Sequence, residues 1–137
     1  MIISEKQIIV VGADKDHCRE IAQMIQAGGY QVVSLHSFHH LERYLQGHDC
    51  LIAILDLSAL LVNNRRIKEL ALKHQGTYFL ALTEHRFNPE LVEAICYDIY
   101  ACIAKPVDPE ELLYWIRSIS LDNMLQEASG TNESRSP

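Results

Sequence analysis

Short, wholly apolar runs alternate along this chain with longer stretches whose apolar positions recur every three or four residues. Ile8-Ile9-Val10-Val11 is a continuous β-branched run, the pattern of a strand buried on both faces. Asp14 or Asp16 then caps a helical stretch with Cys18, Ile21, Met24 and Ile25 on one side, and Gly28-Gly29 stops it. Tyr30 to Leu35 reads as a strand of incomplete burial, because Gln31 and Ser34 interrupt it. Ser37 caps a second helix carrying Phe38, Leu41, Tyr44 and Leu45, closed by Gly47. Leu51-Ile52-Ala53-Ile54-Leu55 is the most apolar run and ends in Asp56. A third helix through Ile67, Leu70, Ala71 and His74 ends near Gly76, and the strand Tyr78-Phe79-Leu80-Ala81-Leu82 ends in Thr83. Pro89 opens a fourth helix with Leu91, Val92 and Ile95 inward, and a short strand around 101–103 leads to Lys105-Pro106.

The last helix carries the fullest set of signals. Asp108 stands as N-cap, Pro109 at the first helical position, and Glu110 and Glu111 complement the positive end of the helix dipole. Leu112, Leu113, Ile116 and Ile119 form its apolar face. Five strand–helix units with short connections predict an α/β fold, a parallel sheet covered by helices on both sides through right-handed crossovers. The domain spans 1–120, and 121–137 reads as a polar tail or the start of a linker. Leu121, Met124 and Leu125 offer the alternative that the last helix is prolonged past residue 120.

Composition narrows the class. The 137 residues are 48% hydrophobic and 22% charged, which excludes a disordered chain and fits one globular core. A net charge of −6 argues against direct nucleic-acid binding, which needs a basic face. No stretch is long and apolar enough for a membrane span, and the first residues lack a signal-peptide pattern. The four cysteines, Cys18, Cys50, Cys96 and Cys102, form no zinc-like spacing and sit in apolar surroundings, as reduced cytoplasmic thiols do. The cluster His36, His39 and His40 has no cysteine or carboxylate completing a metal pattern and reads as solvated.

In an open parallel sheet, functional groups gather beyond the carboxyl ends of the strands, where strand order reverses. Those positions hold Gly12-Ala13-Asp14, Asp56, Thr83 and Lys105. In order along the chain stand Ile54-Leu55-Asp56-Leu57, Ala81-Leu82-Thr83-Glu84 and Ala104-Lys105-Pro106-Val107-Asp108-Pro109-Glu110-Glu111-Leu112. Over about residues 7–120 the chain thereby resembles the receiver domain of two-component response regulators. The resemblance implies a flavodoxin-like (βα)5 three-layer sandwich with strand order 2-1-3-4-5. It also implies that Asp56 accepts a phosphoryl group from a phosphohistidine on a histidine kinase or phosphotransfer protein. Thr83 would hydrogen-bond that group, Lys105 would pair with it, and Pro106 would follow a cis peptide. Metal ligation by Mg2+ would draw on Asp56 and the Ser58 backbone. Helix four, strand five and helix five would offer a face for a homodimer, with Tyr114 and Trp115 beside it.

The same comparison shows departures. Receivers end strand one in two acidic residues that help hold the metal, and here those positions are Gly12 and Ala13. Asp14 follows as a helix cap. A phosphoryl group beside a carboxylate needs compensation, since unit charges about 4 Å apart interact by roughly 4 kcal/mol at an effective dielectric near 20. Without the acidic pair that compensation by metal is weakened, and the expectation is a direct Asp56–Lys105 ion pair. The apolar loop Leu60-Leu61-Val62 replaces the usual Pro-Gly turn, and the switch aromatic falls at Cys102, with Tyr100 expected on the same face.

The sequence therefore points to an atypical cytoplasmic receiver that acts through protein contacts and is not a turnover enzyme. One rival is a conventional phosphoacceptor with Mg2+ recruited through Asp14. Another is a flavodoxin-like nucleotide or flavin binder, against which the loop Gly12-Ala13-Asp14-Lys15-Asp16 lacks phosphate-cradling glycine spacing.

Overall fold

The computed structural model describes residues 7–57, 62–84 and 98–129. Five strands, β1 (Gln7–Val11), β2 (Val32–Leu35), β3 (Cys50–Asp56), β4 (Tyr78–Thr83) and β5 (Ala101–Ala104), form one parallel sheet in the order β2-β1-β3-β4-β5. Helices α1 (Lys15–Ala27), α2 (Phe38–Gly47) and α3 (Asn64–Lys73) alternate with them, and the C-terminal helix α4 (Pro109–Ser129) closes the described chain. The helix expected to begin at Pro89 lies outside the described residues.

Every residue of β3 and β4 is buried, which explains why these two runs are apolar without alternation. Alternate side chains of the strands feed two separate cores. Ile9, Val11, Ala53, Leu55, Phe79 and Ala81 pack with Leu41 and Leu45 of α2 and Ile67 and Leu70 of α3. Ile8, Val10, Ile52, Ile54, Leu80, Leu82 and Ile103 pack with Ile21 and Ile25 of α1 and Leu112, Ile116 and Ile119 of α4. Each of the larger side chains contributes about 1.5–3 kcal/mol by leaving water, so the sheet is held from both sides.

The helix starts follow the capping residues. Asp14 Oδ1 accepts from the backbone N–H of Asp16 (3.0 Å) and His17 (3.2 Å), Ser37 Oγ from His40 (3.0 Å), and Asp108 Oδ1 from Glu110 (3.1 Å). Asn63 caps α3 by accepting from Arg66 N–H at 3.0 Å, so that helix begins before its first buried residue, Ile67. Gly29 adopts φ 94° after α1, a left-handed conformation that favours glycine. Tyr30 N–H returns to the Ile25 carbonyl at 3.3 Å, closing the helix end, and β2 accordingly starts at Val32 rather than Tyr30.

Helix α4 runs unbroken to Ser129, so the boundary placed at residue 120 falls inside it and residues 121–129 prolong the helix. Val62, at the end of the apolar loop, packs against the α2/α3 core; Leu60 and Leu61 lie outside the described residues. No helix among the described residues is long and apolar enough to cross a membrane.

Candidate functional site

The carboxyl edge of the sheet brings Asp56, Thr83 and Lys105 together. Asp56 ends β3 and lies in register with Leu82, while Thr83 ends β4 opposite Ala104. Ladder-like bonds continue past the strands: Leu57 N–H donates to the Leu82 carbonyl at 3.0 Å and Lys105 N–H to the Thr83 carbonyl at 2.9 Å. These bonds hold the three residues on adjacent strand ends although 27 and 22 positions separate them in sequence (56 to 83, 83 to 105). The Lys105–Pro106 peptide is cis.

Lys105 Nζ lies 2.9 Å from Asp56 Oδ1 and 3.0 Å from Oδ2, spanning both oxygens of the carboxylate. Asp56 is only 1% exposed and the Lys105 side chain 19%, so the pair is largely withdrawn from water. A buried carboxylate is costly unless paired, and the ammonium supplies that pairing directly. Thr83 is buried beside them, and the bond it makes to Lys105 comes from its carbonyl.

Gly12 forms the opposite wall. A Cβ at this position would stand 3.1 Å from Asp56 Cβ and 3.0 Å from Cys18 Sγ, with Asp56 Oδ2 at 3.4 Å. The backbone at Gly12 thus leaves little room for a side chain against Asp56. The Gly12 carbonyl accepts from the Cys18 thiol at 3.5 Å, and His36 Nδ1 lies 3.1 Å from the same oxygen, a bond that needs the proton on Nδ1. Burial, then the nearby Asp56 and Asp14 carboxylates, push the Cys18 thiol pKa up, so it stays a protonated donor.

His36 therefore departs from the solvated reading. It is half-buried and braces the β1–α1 loop, whereas His39 and His40 are exposed. The signal was its place directly after Leu35, whose strand partner is Val11, beside Gly12. Tyr100 also departs from expectation. Cys102 packs against the α2/α3 core, but Tyr100 packs on the α1/α4 side, where its ring meets Tyr78 and Trp115 edge-on. Strand alternation does not extend to it because β5 begins only at Ala101. Its hydroxyl donates to Asp122 Oδ2 at 2.5 Å, and burial followed by this bond pushes its pKa up to about 12.

The donor set does not fit a divalent cation. Gly12 and Ala13 supply no side-chain oxygen, Asp14 Oδ1 is engaged on the α1 N-terminus, and Lys105 spans the Asp56 carboxylate. Ser58 lies outside the described residues. Among the described residues no group of three histidine, cysteine or acidic side chains is placed to hold a metal.

Neither a family model nor a curated protein matches the sequence. Solved structures do match, across most of the chain. A CheY-like response regulator receiver domain protein from Methanospirillum hungatei superposes with a TM-score of 0.79 at 18% identity, covering 90% of this chain and 99% of that one. The signal receiver domain of an HD domain-containing protein from Pseudomonas fluorescens gives 0.78 at 16% identity, covering 88% and 98%. A two-component response regulator from Clostridium difficile gives 0.74 at 14% identity, covering 84% and 95%. The chain has the receiver-domain fold. In the receiver fold, the edge that carries Asp56, Thr83 and Lys105 is the one the sequence motifs had singled out.

Proposed function

We propose that the protein is a signal receiver of the two-component type in which a direct ion pair takes the place of a metal centre. It works as a protein-interaction module rather than a turnover enzyme. The observation that carries this reading is the pair of contacts on Asp56: Lys105 Nζ on both carboxylate oxygens, and Gly12 packed against its Cβ where an acidic residue would otherwise point. With the carboxylate neutralised from one side and closed off from the other, Mg2+ binds weakly and phosphoryl transfer to Asp56 is slow. Output then depends on contacts with a kinase, a phosphotransfer protein, an output domain or a second copy. A cytoplasmic place follows from that role.

The phosphoacceptor alternative through Asp14 is disfavoured by that residue's engagement as helix cap. The same carboxylate stands at the α1 N-terminus, where a nucleotide or flavin phosphate would sit. Incubation with acetyl phosphate, with and without Mg2+, followed by intact-mass measurement, tests the reading. The expected result is no phosphoryl mass increment on the wild type beyond that of Asp56→Asn. An increment that needs both Mg2+ and Asp56 would overturn it and restore a conventional phosphoacceptor.

A further inference from the structure

Helix α3 reads Asn-Arg-Arg-Ile-Lys-Glu-Leu-Ala-Leu-Lys, four basic residues against one carboxylate, in a chain whose net charge is −6. Its inward side is Ile67 and Leu70, both buried in the α2/α3 core. Arg65, Lys68, Glu69, Leu72 and Lys73 are exposed, and their spacing puts them on one outward stripe about 12 Å long. Leu72, at 61%, is the most exposed large hydrophobic residue among those described. Lys68 stands one turn before it in the same row, and Lys73 follows it directly.

The charges are placed against the interest of the helix. Arg65 and Arg66 occupy the first turn, at the positive end of the helix dipole, and no acidic residue stands there to offset them. Arg66 is compensated from α2: its Nη2 lies 2.8 Å from Glu42 Oε1, and its guanidinium lies 5.0 Å from the centre of the Phe38 ring. Lys73 complements the negative end in the last turn. Arg65 and Lys68 have neither benefit, and among the described residues neither makes an ion pair. A placement that costs helix stability and adds nothing to the packing is what a surface kept for a partner shows.

We propose that the outward stripe of α3 docks an acidic helical segment of another protein, its carboxylates meeting Arg65, Lys68 and Lys73 and an apolar side chain seated on Leu72. Charge selects this occupant. A second copy presenting the same stripe would set base against base. The eight residues after Ser129 carry Glu133 and Arg135, which cancel, and no large apolar side chain. A phosphate backbone would meet Leu72 and Glu69 within the stripe and gain nothing from either. One exposed leucine gives a lipid surface little to bury. The inference rests on the reading of the chain as a protein-interaction module and names the partner's chemistry. It does not depend on whether Asp56 accepts a phosphoryl group, which the mass measurement decides by itself.

Fluorescence anisotropy with the full chain tests this, using an end-blocked helical peptide of about 20 residues in which glutamates flank one row of leucines. A DNA duplex and vesicles of phosphatidylcholine with phosphatidylserine are the competing probes. The peptide is expected to bind with a Kd of about 10–100 μM at about 0.1 M salt, weakened at least about tenfold by Lys68→Glu and about fivefold by Leu72→Ser. Arg117→Glu makes the same change in net charge on an exposed position of α4 and should leave the Kd unchanged. Arg65→Glu should weaken binding and yet raise Tm, because it sets an acid at the helix N-terminus. All these positions are exposed, so circular dichroism should show each variant folded. No saturable binding of the peptide up to about 1 mM, or weakening by Arg117→Glu equal to that by Lys68→Glu, would overturn the surface. Indifference to Leu72→Ser would overturn the apolar anchor, and a lowered Tm for Arg65→Glu the claim that Arg65 is held at the expense of the fold. Tighter binding of DNA or vesicles than of the peptide, lost in Lys68→Glu, would overturn the acidic-helix occupant.

Discussion

Replacing Asp56 with asparagine removes one charge from a pair held 2.9 Å apart. At an effective dielectric near 20, unit charges at 3–4 Å attract by about 4–6 kcal/mol. Part of that survives, because the amide oxygen still accepts a hydrogen bond from Lys105. Part was never net gain, because the Lys105 side chain keeps 19% of its surface in water and both groups lost hydration on folding. A net destabilisation of about 1–3 kcal/mol remains. For a chain of this length each kcal/mol moves Tm by roughly 3–5 °C, so Asp56→Asn should melt roughly 3–15 °C below wild type. The sign is diagnostic. In a pocket crowded with several carboxylates, removing one would relieve repulsion and raise Tm. Thermal and urea unfolding of wild type, Asp56→Asn, Lys105→Gln and the double variant would give the coupling directly. Lys105→Gln should cost more than Asp56→Asn, since it takes the ammonium from a carboxylate that is 1% exposed. The double variant should be milder than the sum by about 1–3 kcal/mol. An unchanged or raised Tm for Asp56→Asn, or additive effects, would refute the ion pair as a stabilising element.

Two further perturbations test neighbouring features. Gly12→Asp should destabilise by about 1–3 kcal/mol through overpacking and a second carboxylate against Asp56, with Gly12→Ala reporting the steric share alone; a urea midpoint equal to wild type would contradict the close approach at 3.0–3.1 Å. Tyr100→Phe should cost about 1 kcal/mol by removing the bond to Asp122. Because the folded pKa is raised from 10 to about 12, the wild-type advantage should be complete below pH 10 and lost as pH rises toward 12. An advantage over Tyr100→Phe that is unchanged across that window would count against the Tyr100–Asp122 pairing.

Much of the architecture was legible because local signals and burial agreed. Asp108-Pro109-Glu110-Glu111 starts α4 as its capping chemistry demands, and the uninterrupted apolar runs of β3 and β4 are buried throughout. Asp56, Thr83 and Lys105 were legible as strand-end residues, and their convergence followed from the parallel sheet. What stayed hidden depends on spatial neighbours rather than on local pattern. His36 carries no periodic signal, and only the β1–β2 pairing puts it beside the Gly12 carbonyl. Tyr100 was assigned by strand alternation, but it precedes β5 and is drawn to the α4 side by Asp122 and two aromatic rings. The polar composition after residue 120 suggested an end to the fold, yet a helix propagates readily once nucleated and α4 continues to Ser129.

The close packing around Gly12 also shapes which mutational routes are open to this chain. A lone change that installs an acid at position 12 meets Cys18 Sγ at 3.0 Å and Asp56 Cβ at 3.1 Å. Trimming Cys18 relieves the first obstruction, but the second is the Cβ of Asp56, the last residue of β3. Installing an acidic pocket here is therefore a multi-step path whose first step lowers stability before any later step can bring a benefit. Close packing on both sides of Gly12 thus acts as a barrier to acid at this position, whatever benefit a later change could bring.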